Sequence, residues 1–207
     1  FPLTFATLSF WFAEEDVAKS SIGLFALVGT PFVIKFLWAP LIDQLPIPLL
    51  TKWLGKRRSW ALFSQITIIV ALLFLGAGNP TENLWYMALM ALILSICSAT
   101  QDIAIDAFRI ESVNEEEQAA GAAAVVFGWR IGALVAGAGS LYVASAFGWF
   151  IAYAVMSAFM SVGMLAILLS KEPPVETVYK ASSWIQWVEH AVINPFTQFM
   201  GCSGWIV

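Results

Sequence analysis

Residues 83–111 read NLWYMALMALILSICSATQDIAIDAFRIE. Asn83 to Gln101 carries no charge, and the apolar run continues through Asp102 to Phe108. Ser95, Ser98, Asp102, Asp106 and Arg109 are spaced by three, four, four and three residues, so all five fall on one face of an α-helix. The other faces are Leu, Ile, Met and Ala. A carboxylate at bilayer depth costs several kcal/mol unless it is paired or faces a wet cavity. The stripe therefore predicts a transmembrane helix that lines a pathway.

The rest of the chain agrees. It is 60% hydrophobic and only 12% charged, with a mean hydropathy of +0.81. Soluble domains are nearer half apolar and a quarter charged, so this is an integral membrane protein. The net charge is −4, with the acids mostly in loops. No basic patch interleaved with aromatics is present, which excludes a nucleic-acid partner. Cys97 lies in an apolar span and Cys202 in a late loop; both read as unpaired thiols. With His190 as the single histidine, no metal-ligand spacing exists, and neither a metal nor another cofactor is expected.

Six crossings follow from the apolar segments. Residues 1–13 rise about 20 Å against a hydrocarbon core of about 30 Å, so they read as the outer end of a truncated first helix. The next spans are expected near 21–42, 59–81, 83–108, 118–146 and 149–170. The last two come from splitting a stretch with no charge from Ile131 to Ser170, with a hairpin at Phe147-Gly148-Trp149. Gly29 and Pro31 suggest a bend in the second span. Residues 171–204 form a polar central loop. There Trp184, Trp187, Val188, Ala191 and Val192 recur at helical spacing, which predicts an amphipathic helix on the membrane surface or against another domain. Residues 205–207 look like the start of a seventh span.

Lys and Arg set the orientation. Lys52, Lys56, Arg57, Arg58, Arg109, Lys171 and Lys180 lie on one side for alternating spans, and only Lys19 lies on the other. The basic side is expected to be cytoplasmic.

Lys35, Asp102, Asp106 and Arg130 sit within spans and sum to zero charge. Asp106 has Arg109 one turn away and reads as an ion pair. Asp102 has no basic residue at i±3 or i±4, so its partner must come from another helix, and Lys35 is at comparable depth. Such a pair is either a static salt bridge or a site that takes up and releases a proton as the cavity closes. A guanidinium does not usefully deprotonate, so Arg130 is a fixed anion site or a partner of Asp102 or Asp106. Gln101 is placed to hydrogen-bond a substrate or a neighbouring helix. Ala124, Gly128, Gly132, Ala136 and Ser140, each four apart, read as a helix-packing stripe. No nucleophile–base pair is present, which argues against an intramembrane enzyme.

Longer motifs carry a resemblance. Ala39-Pro-Leu-Ile-Asp43 followed by Gly55-Lys-Arg-Arg58 resembles the loop between helices two and three of the major facilitator superfamily. Here Ala39 stands for a Gly, Gln44 for an Arg, and eleven residues separate Asp43 from Gly55. With Phe36-Leu-Trp-Ala-Pro-Leu-Ile-Asp43, Ser98-Ala-Thr-Gln-Asp-Ile-Ala-Ile-Asp-Ala-Phe-Arg-Ile-Glu111 and Gly121-Ala-Ala-Ala124, the chain looks like the AmpG-type muropeptide permeases. The resemblance implies an all-α fold, the six-helix amino-terminal bundle of a twelve-helix transporter whose carboxy-terminal half is missing here. It implies a multi-pass protein of the bacterial inner membrane. Its partners would be the bilayer, protons and an anionic muropeptide, imported by proton symport for peptidoglycan recycling and, indirectly, β-lactamase induction. It makes Asp102 and Asp106 candidates for proton coupling and Lys35, Gln101 and Arg130 candidates for substrate binding. Asp43, Gly55, Lys56, Arg57 and Arg58 would brace a cytoplasmic gate. Competing readings are a facilitator for another solute, such as acetyl-coenzyme A, a pterin or a sugar, and a membrane protein without transport.

Overall fold

The computed structural model describes residues 6–173 and Thr197 of the 207-residue chain. Among them every regular element is helical. Five helical runs are long and apolar enough to cross a membrane: Lys19–Leu37, Lys56–Gly76, Leu84–Ser112, Glu115–Phe147 and Trp149–Leu169. The amphipathic helix expected within 171–204, the start of a seventh span at 205–207, His190 and Cys202 lie outside the described residues. Cys97 is a half-buried free thiol.

Helix α1 (Leu8–Glu14) buries Leu8, Trp11 and Phe12. Trp11 stacks on Trp149 at 5.4 Å, and Phe12 meets Phe25 edge-on at 4.5 Å. The second span is broken into α2 (Lys19–Leu24), α3 (Thr30–Ile34) and α4 (Ala39–Gln44), separated by 3₁₀ turns at Phe25–Gly29 and Lys35–Leu37. Proline explains both breaks. Pro31 and Pro40 lie in the first turns of α3 and α4, where the missing N–H is harmless but the ring disturbs the turn before it. Thr30 Oγ1 donates to the Leu27 carbonyl at 2.6 Å, satisfying a group in the 3₁₀ turn.

A short helix α5 (Leu50–Leu54) precedes α6 (Lys56–Gly76). The cluster Lys56-Arg57-Arg58, expected as loop, is instead the first turn of α6. Gly55 makes this possible: φ +86, ψ 172 is a backbone region open essentially to glycine alone. Helix α7 (Leu84–Ser112) is capped by Asn83, whose side chain accepts from the Tyr86 N–H. Its 29 residues rise about 43 Å, more than the hydrocarbon thickness, so its last turns reach past the apolar core.

Helix α8 (Gln118–Leu134) runs through a π-helical turn at Val135–Gly139 into α9 (Ser140–Phe147). Gly148, at φ +88, then reverses the chain into α10 (Trp149–Leu169), where the sequence predicts a hairpin.

Helix α6 is the centre of the bundle, packed against α7 on one side and α10 on the other. Ala71, Leu72 and Leu75 of α6 meet Met87, Ala91 and Leu94 of α7 in one buried cluster that includes Tyr153 of α10. The small-residue stripe on α8 and α9 makes contact at one end only. Thr7 and Ser140 hydroxyls lie 3.1 Å apart, whereas a Cβ built on Gly128 or Gly132 meets nothing within 4 Å. Among the described residues the stripe therefore does not act as a helix–helix seam along its length.

Candidate functional site

Two polar layers stand out. The first closes the end of the bundle that the Lys and Arg distribution predicts to be cytoplasmic. Arg57 is buried, with a side chain only 10% exposed. Its guanidinium donates to the Asp43 carboxylate and, through Nε and Nη2, to both oxygens of Glu111. A planar fork suits such two-pronged pairing. Lys56 adds a bond to the Asp43 carbonyl. Arg57 thus joins α4, α6 and the end of α7.

The same layer ties α6 to α10 in both directions. The Glu172 carboxylate accepts from the backbone N–H groups of Arg57 at 2.8 Å and Arg58 at 3.2 Å. Those N–H groups have no intrahelical partner, and a negative charge suits a helix N-terminus. In return the Arg58 side chain donates to the Ile167 and Leu168 carbonyls at 2.9 and 2.6 Å, at the C-terminal end of α10. A Cβ at Gly55 would run into the Glu172 carboxylate, so the glycine serves both backbone and packing.

The second layer lies deeper. Lys35 Nζ stands 3.3 Å from Asp102 Oδ2, with side chains 34% and 53% exposed. Trp38 Nε1 donates to Thr100 Oγ1 at 3.2 Å beside it. Together they hold the broken second span against α7. A cavity of about 710 Å³ opens between α3, α6, α7, α8 and α10. Its walls are mostly apolar; Ser98, Gln101 and Asp102 supply the polar side chains of α7, and Trp129 a ring from α8. A carboxylate paired to a lysine at such an opening keeps its charge in reach of water and solute.

The remaining candidates are distributed differently. Asp106 reaches Arg109 only at 4.0 Å, at the limit of an ion pair. Arg130 is exposed and, among the described residues, has no carboxylate within salt-bridge distance; it pairs with neither Asp102 nor Asp106. It does not line the cavity, although Trp129 and Ile131 on either side do. Ser95, read as part of the pathway stripe, is fully buried among the helices. Glu172 and the role of Glu111 were missed in the sequence. The available signal was charge complementarity: two acids and a basic cluster lie on loops predicted to share one side. Among the described residues no group of three His, Cys, Asp or Glu side chains is placed to hold a metal ion.

Known proteins resemble this chain along its whole length. A family model described as Major Facilitator Superfamily matches residues 3–206. The Anhydromuropeptide permease of Escherichia coli K12 is 37% identical over 207 residues, covering 99% of this chain and 40% of that protein. The protein of the same name in Escherichia coli O157:H7 matches to the same extent. A relative from Rickettsia felis is 34% identical over 200 residues, covering 95% of this chain and 48% of its own length. The chain thus spans less than half the length of these relatives.

Proposed function

Because the chain belongs to the major facilitator superfamily, we propose that it works as the amino-terminal half of a transporter that imports anhydro-muropeptides across the bacterial inner membrane. The coupling ion is the proton, and the imported sugars feed peptidoglycan recycling. The substrate named by the E. coli relatives supports the class of cargo. The observation that carries the coupling is the Lys35–Asp102 pair, 3.3 Å apart and half-exposed beside the cavity. A carboxylate held as an anion by a neighbouring ammonium accepts a proton when that ammonium is drawn away. An anionic cargo that competes for Lys35 would do this, so substrate entry and protonation of Asp102 favour one another.

On this reading Arg130, with no carboxylate partner among the described residues, is the fixed anion contact, and Gln101 hydrogen-bonds the sugar. Asp106, near the headgroup end of α7, passes protons between Asp102 and the cytoplasm. Asp43, Gly55, Lys56, Arg57 and Arg58 form the cytoplasmic latch with Glu111. The substrate path runs between this bundle and a second six-helix half, as sites near the midplane between repeats do in such transporters.

The test is uptake of labelled GlcNAc–anhydroMurNAc by the full-length protein in proteoliposomes, with and without an imposed inward proton gradient. Gradient-stimulated uptake is expected. Gradient-independent uptake would remove the coupling role of Asp102. No uptake by folded protein would reassign the cargo to another solute, such as an acyl-coenzyme A or a pterin.

A further inference from the structure

Eleven residues separate Asp43 from Gly55, and the latch does not use most of this insert. Its outward side is apolar. Leu45, Leu49 and Trp53 are 48%, 77% and 88% exposed, and Lys52 beside them is exposed as well. Leu49 has φ +70 and ψ −54, and the Leu50 N–H bonds the Pro48 carbonyl at 2.9 Å. This is a γ-turn with positive φ, rare and strained for a β-carbon-bearing residue. The chain therefore holds Leu49 outward against its backbone preference.

The place where the insert hangs identifies its occupant. Trp60 Nε1 donates to the Leu45 carbonyl at 2.8 Å, and the Trp60 ring meets Phe63 edge-on at 6.2 Å. Phe63 begins an exposed stripe of α6 that continues through Ile66, Val70 and Leu73. At 100° per residue this stripe lies opposite Ile68 and Leu72, which line the cavity. An apolar stripe on a spanning helix, turned away from the solute cavity, faces lipid. The insert continues that lipid-facing surface at its cytoplasmic end. Trp at the interfacial level and a neighbouring Lys are the pair that membrane interfaces favour.

We propose that residues 45–54 form an interfacial anchor: Leu49 and Trp53 enter the headgroup–acyl boundary of the cytoplasmic leaflet, and Lys52 contacts the phosphate of anionic phospholipid. The anchor fixes the height of the latch residues Asp43 and Arg57 against the bilayer. It does not depend on which solute is carried.

The experiment places an environment-sensitive fluorophore on W53C or L49C in the full-length protein, with Cys97 and Cys202 replaced. The protein is reconstituted in phosphatidylethanolamine–phosphatidylglycerol vesicles. E116C, on the exposed 3₁₀ turn Glu115–Glu117 that begins the next helical run and is predicted to lie on the same side, is the reference. Brominated lipid should quench the labels at 49 and 53, and iodide should quench them several-fold less than the label at 116. Equal iodide quenching would make the insert a solvated loop. Shielding from both quenchers would mean that protein covers it, either the other half or a second copy. Both results overturn the proposal. K52E should reduce lipid quenching in these vesicles but not in phosphatidylcholine; an equal effect in both would remove the anionic-lipid contact.

Discussion

Arg57 and Glu111 form a two-pronged ion pair across 54 residues of sequence, with Asp43 on the remaining guanidinium nitrogen. One side chain thus holds the ends of three helical elements. Arg57→Ala removes the guanidinium that both carboxylates bind. We expect a loss of about 2 kcal/mol, below the range for fully buried pairs because both carboxylates keep contact with water. Thermal unfolding in detergent checks it. Arg57→Lys should recover part of the stability but not the fork, and Glu111→Gln should cost less than Arg57→Ala.

Gly55 and Gly148 allow a matched comparison. Both occupy a backbone region reserved for glycine, at φ +86 and φ +88. A Cβ at Gly148 meets nothing within 4 Å, while one at Gly55 meets Glu172. Gly148→Ala should cost about 1–3 kcal/mol from backbone strain alone. Gly55→Ala should cost more. Adding Glu172→Ala to Gly55→Ala should relieve the clash, while costing the N-terminal contact of α6. Unfolding midpoints of the four proteins decide this; equal losses at the two glycines would show that Glu172 yields freely.

Asp102→Asn keeps the shape of the side chain and removes the titration. Proton-driven uptake should be abolished, while exchange of labelled for unlabelled substrate at equal pH is partly retained. Equal loss of both activities would mean that Asp102 serves only as a structural partner of Lys35.

Arg130 has no ion pair to lose among the described residues, so its replacement should leave folding intact. Arg130→Lys is expected to raise KM about tenfold, equivalent to ~1.4 kcal/mol, because an ammonium cannot reproduce the planar fork. The unfolding midpoint should stay unchanged. A fall in stability with unchanged KM would take Arg130 out of the site.

Apolar run length made the spanning helices legible, and helical period placed Asp102 without a local partner, which left Lys35 as the candidate at matching depth. Other features depend on what no local pattern carries. The Glu172 contacts join residues 115 apart, so neither propensity nor spacing points to them. Ser95 shares a helical face with Asp102, yet helix packing buries it, because the edge of a stripe is decided by neighbours rather than by period. The bend suggested by Gly29 and Pro31 is present, but Pro40 adds a second break that the apolar run conceals. The basic cluster at 56–58 read as loop because its charges outweighed its helical propensity, whereas Gly55 supplies the turn that lets the helix begin there.

The reciprocal bonds of Arg58 and Glu172 have a mechanical meaning. A lever needs a stiff arm and a compliant joint. Helices α6 and α10 are pinned at the same end by bonds running both ways, so they are tied into one arm. Compliance resides in the second span, whose 3₁₀ turns at Phe25–Gly29 and Lys35–Leu37 interrupt regular helix above and below α3. Lys35 lies in the second of these turns, so the residue that faces Asp102 sits on the joint itself rather than on either arm.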